Sequence, residues 1–199
     1  MRVLATNITI EFGPIAAFII AYAFTDFFTA IEVSMVATAL SLIVAYTVQQ
    51  RFALFPTLAA VMVLTFGALS ITFQVPDFFI FQDTLSNAFF ATVLGASVVL
   101  RRPFLKPMFE HVFAMQDAGW YILTLRWTIF LAVVAVLNEL VRVIGTSEQW
   151  VYFKLANVTI TTAFAFWQFR LSARYRIPEE STALGLRIVD QTLPPHLRT

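Results

Sequence analysis

The sequence contains no cysteine and few charged residues, and both shortages restrict what the protein can be. Cysteine is absent from all 199 residues, which excludes disulfides, thiol catalysis and cysteine-bound metal sites. The two histidines, His111 and His196, have no metal-ligand spacing. Charged residues make up 13% of the chain, whereas soluble domains carry roughly 25%. A net charge of +1 gives no broad basic field, so nucleic acid is not an expected partner.

The sequence is instead rich in apolar residues, which form long segments. Hydrophobic residues make up 59% of the chain, 22 residues are Phe, and the mean hydropathy is +0.79. A helix that crosses a bilayer needs about 20 mainly apolar residues. Six segments are candidates: 12–29, 31–50, 53–73, 84–100, 120–145 and 150–170. The sequence predicts an all-α polytopic membrane protein, with a single helical membrane domain over residues 1–170 and a polar cytoplasmic tail over residues 171–199.

The joints between these segments alternate in charge. The acidic joints lie around residues 26–32, 77–83 and Glu148. The basic joints contain Arg51, then Arg101, Arg102 and Lys106, and finally the stretch from Arg170 to Arg176. Because cytoplasmic loops of inner-membrane proteins carry extra Lys and Arg near the span ends, the pattern predicts a multi-pass protein of the bacterial inner membrane. Both termini are then cytoplasmic.

The first segment leaves two alternatives open. Segments 12–29 and 31–50 meet with no turn residue stronger than Thr29-Ala30. The first could therefore be a half-inserted or re-entrant helix, which gives five full spans and puts the N-terminus on the opposite side. It could also be a cleaved signal peptide. Glu11 and Pro14 interrupt its apolar run, and no small-residue cleavage site follows, so we expect the segment to be retained.

Two joints have a predicted place at the membrane surface. The acidic and aromatic stretch 74–83 is typical of the headgroup region. In the stretch 103–118, apolar residues lie on one helical stripe at Leu105, Met108, Phe109 and Val112. This spacing predicts a short amphipathic helix at the cytoplasmic interface.

Polar residues inside the last two spans are the main functional candidates, because ionisable groups are costly in a membrane. These residues are Asn138, Glu139, Arg142, Lys154 and Asn157. We expect Glu139 to pair with Lys154 or with Arg142, and Asn138 to meet Asn157. Three roles are open: fastening of the helical hairpin, snorkelling of the two cations to the outer interface, and substrate or proton handling. Fastening is the favoured interpretation.

Other candidates carry weaker signals. Arg126 lies beside Trp127 and near the cytoplasmic end of its span, which favours snorkelling within an aromatic belt. Asp26 lies in an acidic joint, where solubilising charge is the simplest role. No serine–histidine–carboxylate set, His-Glu-x-x-His run or phosphate-binding glycine loop occurs in the sequence. We therefore expect neither enzymatic activity nor a bound cofactor.

Several residues together resemble a known family. Residues 67–73 are similar to its Gly-x-Leu-Thr-x-x-Phe segment. They are followed in order by Trp120, Leu125-Arg126-Trp127, Asn138-Glu139, Val141 and Trp150-Val151-Tyr152-Phe153-Lys154. Over roughly residues 12–170 the chain resembles the intracellular septation protein A family, also called the inner membrane-spanning protein YciB family. The family's Phe-Ile-Lys-Trp-Lys-Pro-Thr signature lacks both lysines and the proline at 78–84 here. The lysine expected after Tyr22 is Ala23. The chain therefore looks like a divergent member.

The resemblance implies an inner-membrane protein of envelope maintenance and septation, with no established enzymatic activity and no catalytic residues. We expect a non-enzymatic scaffold that meets protein partners of the envelope or division machinery within the lipid bilayer. The alternative is a small transporter or channel. It would use a polar path near the outer face, formed by Asp26, Asn138, Glu139 and Lys154. A lipid-modifying enzyme is the least favoured reading.

Overall fold

The predicted apolar segments are mainly helical over their described residues, but the predicted segment 12–29 is interrupted at Thr25-Asp26, where α1 has ended and α2 has not begun. The computed structural model describes residues 2–49 and 54–188, with side chains from 13 to 47 and from 57 to 188. The helices are α1 (Arg2–Phe24), α2 (Phe27–Gln49), α3 (Leu54–Phe73), α4 (Asp77–Val99), α5 (Leu105–Phe109), α6 (Asp117–Ile144) and α7 (Ser147–Arg174). A single 3₁₀ turn follows at Pro178–Glu180. These ranges contain isolated β-bridges but no strand, so the all-α prediction is confirmed. The basic joint at Arg51 and the residue His196 lie outside the described ranges.

Two of the described helices are long and apolar enough to cross a membrane. These are Phe27–Thr47 and Asp117–Ile144, while Gly13–Phe24 and Thr57–Phe73 are shorter apolar stretches. Helix α1 runs without a break through Pro14. The count of six spans remains a prediction.

The boundary between α1 and α2, which the sequence left weak, is made by Asp26. Its Oδ1 accepts hydrogen bonds from the backbone N–H groups of Phe28 at 2.9 Å and Thr29 at 3.1 Å. Its Oδ2 accepts one from the Thr29 hydroxyl at 2.6 Å. Asp26 is thus the N-cap of α2, because it satisfies N–H groups that have no partner inside the helix. The Thr29 hydroxyl first, and then the backbone donors, lower the pKa of Asp26 below its usual value.

The turn between α6 and α7 carries a second cap. The N–H of Gln149 donates to Thr146 Oγ1 at 3.2 Å, and the N–H of Thr146 donates to Gln149 Oε1 at 2.9 Å. This reciprocal pair is a capping box. Gly145 precedes it, and a Cβ on that residue would lie 2.5 Å from the Val141 carbonyl oxygen. The hairpin can therefore turn sharply only with glycine there.

Helices α3 and α4 end in the same way, with a left-handed residue that is not glycine. Gln74 has φ 55° and Arg101 has φ 54°. The next residue in each case donates to the carbonyl five positions back, Val75 to Ser70 and Arg102 to Ser97. This is the Schellman ending, which usually has glycine at the left-handed position.

Helix α4 begins earlier than the predicted segment 84–100. The Pro76 carbonyl accepts from the N–H groups of Phe79 and Ile80, and Asp77 lies in the first turn. An acidic residue is favourable there because the helix N-terminus carries partial positive charge. Most of the acidic joint 74–83 is therefore helical.

Contacts divide the chain into two compact units. The first consists of Met1–Ser86 with Ala135–Phe153, and the second of Asn87–Val134 with Lys154–Thr199. The single domain predicted over residues 1–170 therefore stays a prediction.

The first unit has an aromatic core. Phe18 is 1% exposed and Trp150 0% exposed. The Phe18 ring lies 5.8 Å from Phe27, 5.6 Å from Phe79 and 5.9 Å from Trp150, measured between ring centroids. Gly67 of α3 packs so closely on Met35 of α2 that an added Cβ would lie 2.6 Å from the Met35 sulfur.

The second unit has its own core, formed by Leu94, Leu105, Met115 and Trp120. The amphipathic helix predicted over 103–118 is present only as α5, Leu105–Phe109. Leu105 is buried, whereas Phe109 and Val112 are exposed. The predicted stripe is therefore divided between core and surface.

Residues 175–188, which we call the return segment, are folded and belong to the second unit. They follow directly on α7, which continues to Arg174. The N–H of Ala114 donates to the Gly185 carbonyl, and the N–H of Ile177 donates to the Ala114 carbonyl. Gly185 has φ 79°, a conformation that glycine adopts without strain. The first part of the predicted polar tail is thus helix and folded return segment.

Candidate functional site

Asn138 is the buried centre of a hydrogen-bonded chain in the first unit. Its side chain is 1% exposed. The amide nitrogen Nδ2 donates to the Ile80 carbonyl at 3.1 Å and to Thr84 Oγ1 at 2.8 Å. The amide oxygen Oδ1 accepts from the Trp150 indole Nε1 at 2.9 Å. Helices α4, α6 and α7 are therefore joined through one side chain.

From Thr84 the series of hydrogen bonds continues to Glu139, Arg142 and Asp77. The Thr84 hydroxyl donates to Glu139 Oε2 at 3.2 Å. Arg142 donates two hydrogen bonds to the same carboxylate, from Nε to Oε2 at 3.0 Å and from Nη2 to Oε1 at 2.6 Å. Its Nη1 donates to Asp77 Oδ2 at 3.1 Å. We call Asp77, Thr84, Asn138, Glu139, Arg142 and Trp150 the polar chain.

The helical repeat explains why these residues can meet. Asp77 and Thr84 are seven positions apart in α4, so both lie on one face together with Ile80. Glu139 and Arg142 are an i,i+3 pair in α6, which puts their side chains next to each other. Trp150 lies in the first turns of α7, just after the capping box. The short turn between α6 and α7 therefore brings Trp150 back toward Asn138.

Exposure changes along the polar chain. Trp150 and Asn138 are buried, while the side chains of Arg142 and Asp77 are 22% and 56% exposed. The Arg142 guanidinium also lies 5.6 Å from the centre of the Phe81 ring. The buried end is neutral and the charged end reaches the surface of the unit, which keeps the cost of burying charge low.

The predicted pairing of Glu139 with Arg142 is therefore present. The partners of Asn138 are Ile80, Thr84 and Trp150. The sequence had named Asn157 for that role. Asn157 and Lys154 belong to the second unit, where the Thr161 hydroxyl lies 3.5 Å from Asn157 Oδ1.

The remaining predicted residues lie elsewhere. Asp26 is the N-cap of α2, as described above. In the second unit, Arg126 Nη1 donates to Gln168 Oε1 at 3.3 Å, and its guanidinium lies 4.5 Å from the centre of the Trp167 ring. Trp127 packs edge-on against Phe164 at 5.0 Å. Arg126 is thus held by a ring and an amide rather than by a carboxylate.

Sequence reasoning missed Thr84 and Asp77 as members of the polar chain. Their seven-residue spacing in a single helix was the available signal, but helix α4 was expected to start only at residue 84. The polar chain offers hydrogen-bond donors and acceptors that satisfy one another. Among the described residues no group of three or more His, Asp or Glu is placed to hold a metal ion.

Comparisons with a family model and with individual relatives identify the same family. The family model described as intracellular septation protein A matches residues 6–179. Relatives with the name inner membrane-spanning protein YciB include one from Bradyrhizobium sp. (strain ORS 278), 37% identical over 166 residues and covering 83% of each chain. Another, from Nitrobacter hamburgensis, is 34% identical over 168 residues and covers 84% of each. A third, from Sinorhizobium fredii, is 28% identical over 191 residues. No solved structure matches the chain.

Proposed function

Because the chain belongs to the intracellular septation protein A family, an inner-membrane family linked to septation, we propose that it is a non-enzymatic scaffold of the envelope. In this role it spans the inner membrane six times, with both termini in the cytoplasm, and meets proteins of the envelope-building or division machinery through its helix faces and loops.

The polar chain is the observation that carries the proposal. Asn138 uses its oxygen and its nitrogen on three partners from two other helices, and both oxygens of Glu139 bind Arg142. Groups that satisfy one another in this way fasten helices, since a hydrogen bond between helices in a membrane contributes about 0.6–2 kcal/mol. A fixed helical frame suits a protein that works by presenting surfaces.

The six-span arrangement rests on the charges of the joints and can be tested directly. The natural chain has no cysteine, so single cysteines can be introduced without background. Glu148→Cys should react with a membrane-impermeant maleimide from the outside of spheroplasts. Arg102→Cys and Glu179→Cys should react only after the membrane is opened. Labelling of Glu148→Cys and Arg102→Cys from the same side would contradict the proposed topology.

The scaffold role is tested by crosslinking and pulldown from native membranes in a deletion strain that carries the gene on a plasmid. Recovery of cell-wall or division proteins with the wild-type chain supports the role. Glu139→Gln should recover the same partners at matched membrane levels, because it leaves helix faces and loops unchanged.

Transport is the competing hypothesis, and the same Glu139→Gln variant tests it. The polar chain joins a buried amide to exposed charges, which is the layout a proton path would need. Purified protein in proteoliposomes should show no proton or cation flux above empty liposomes. Flux that disappears in Glu139→Gln would replace the scaffold proposal with a transporter.

A further inference from the structure

A cleft with basic residues lies in the second unit, outside the polar chain. It encloses about 590 Å³ and is lined by Arg101, Pro103, Lys106, Asp117, Ala118 and Tyr121. The residues come from the end of α4, the start of α5 and the first turns of α6. One wall therefore belongs to Asp117–Ile144, a helix apolar and long enough to cross a membrane.

The two cations of the cleft differ in what they bind. Lys106 Nζ lies 2.6 Å from Asp117 Oδ1, and the side chains of this pair are 41% and 83% exposed. Exposed pairs of this kind contribute little to stability, so the lysine can turn to another anion at small cost. Among the described residues Arg101 forms no ion pair. Its guanidinium is free to take an anion with two parallel hydrogen bonds.

The surroundings of Arg101 indicate where that anion comes from. The two preceding residues, Val99 and Leu100, are 81% and 70% exposed. Tyr121, which also lines the cleft, is 38% exposed, and tyrosine is enriched where a membrane meets water. Exposed apolar residues beside a basic cleft at a helix end match the two parts of a phospholipid, its chains and its headgroup.

We propose that this cleft binds the phosphodiester headgroup of an anionic glycerophospholipid. Arg101 is the main phosphate ligand, Lys106 the second cation, and Tyr121 a hydroxyl donor at the rim. The proposal rests on the membrane placement given under the proposed function, but not on the scaffold role.

The neighbouring residue Arg102 supplies a matched control. It has the same charge and lies in the same loop, but it does not line the cleft. Arg101→Gln is a mild change, because Gln74 already occupies the equivalent left-handed position at the end of α3. Both variants remove one positive charge from the same surface, and only one removes it from the cleft.

The test titrates short-chain phosphatidylglycerol into the purified full-length protein in detergent and measures the apparent Kd by native mass spectrometry. Arg101→Gln should weaken binding about fivefold, because it removes a charge-assisted contact with the phosphate that only a residue lining the cleft can make. Arg102→Gln should change it less than about twofold. Phosphatidylcholine with the same chains should bind more weakly than phosphatidylglycerol to the wild type.

Three results would overturn the proposal. Equal losses in the two variants would show a diffuse charge effect without a site. Equal binding of phosphatidylcholine would show that the headgroup charge is not recognised. Binding of free glycerol 3-phosphate as tight as that of the lipid would identify a soluble phosphate as the ligand. Loss of the chain from the membrane fraction would be seen separately by fractionation, and it would contradict the membrane placement.

Discussion

Asn138 and Arg126 lie in the same helix, α6, but belong to different compact units, and their side chains are held in different ways. Asn138 in the first unit is 1% exposed and has three hydrogen-bond partners between 2.8 and 3.1 Å. Arg126 in the second unit is half-buried, with a single hydrogen bond of 3.3 Å and a ring contact. The comparison shows that the polarity or charge of a residue does not by itself decide how much the residue contributes to the stability of the fold. What decides it is whether its partners would be left buried and unpaired without it.

Asn138→Leu should have the largest effect of any change in either region. It leaves the buried Trp150 N–H without an acceptor, and an unpaired buried polar group costs about 1–3 kcal/mol. We expect the free energy of unfolding in detergent to fall by about 2 kcal/mol. Asn157→Leu is the control, because the contact between Asn157 Oδ1 and the Thr161 hydroxyl is long, at 3.5 Å. This variant should change stability by less than about 0.5 kcal/mol. Equal losses would break the comparison.

The ion pair at the exposed end of the polar chain should matter less. Glu139→Gln and Arg142→Gln, singly and together, form a double-mutant cycle. The side chains are 36% and 22% exposed, so solvent weakens the attraction, and we expect a coupling of about 1 kcal/mol. Because Arg142 donates two hydrogen bonds to the Glu139 carboxylate, we expect this coupling free energy to lie at the upper end of the range for partly exposed ion pairs. A coupling near zero would show that Arg142 is held by Asp77 alone.

Arg126→Gln should have a smaller effect on stability. Loss of a guanidinium stacked on Trp167 removes about 0.5–1 kcal/mol at an exposed site, and the new amide can still reach the surface. We expect about 0.5 kcal/mol, measured in the same unfolding assay. A loss larger than that of Asn138→Leu would reverse the comparison between the two units.

The smallest effect is expected from pH, through Asp26, a residue of the first unit that lies outside the polar chain. The pKa of Asp26 is lowered in the folded chain, so the unfolded chain binds the proton more readily. The capping contribution is therefore complete above the ordinary pKa of aspartate and is lost as the pH falls through the lowered folded value. Between roughly pH 6 and pH 3 the melting temperature of the wild type should fall more than that of Asp26→Asn. Parallel curves would show that other carboxyls control acid unfolding.

The sequence predicted the helices well and their ends poorly, for physical reasons. Apolar length identifies a helix because burial or lipid exposure of some 20 residues dominates its energy. The ends depend on single groups such as the Asp26 carboxylate and the Thr146 hydroxyl. These are weak signals among many polar residues. Helix α4 was expected to start at residue 84 because the acidic joint looked like a loop.

The same contrast holds for the polar chain. Asn138 and Glu139 stand out in the sequence because polar residues are rare in spans, and Arg142 follows from its i+3 position. Asn138's partner Ile80 could not be predicted, because it takes part through its backbone carbonyl, which every residue has. Which helix face meets which depends on rotation about each axis, and a single sequence does not encode that in a readable way.

The pairing of Glu139 with Arg142 has a consequence for the moment of membrane insertion. Glu139 and Arg142 lie in the last turns of α6, where an unpaired charge costs less than the roughly 2.5–3.5 kcal/mol that it costs at the centre of a spanning helix. The two lie one helical turn apart and bind through two hydrogen bonds, so this pairing needs only the coiling of α6 and no residue of α7. Helix α4, which holds Asp77 and Thr84, precedes α6 in the chain and is already made when the pair emerges. If α6 spans the membrane as proposed, its two charges can pair within the helix itself, and the contacts with Asp77 and Thr84 of α4 add to that pairing.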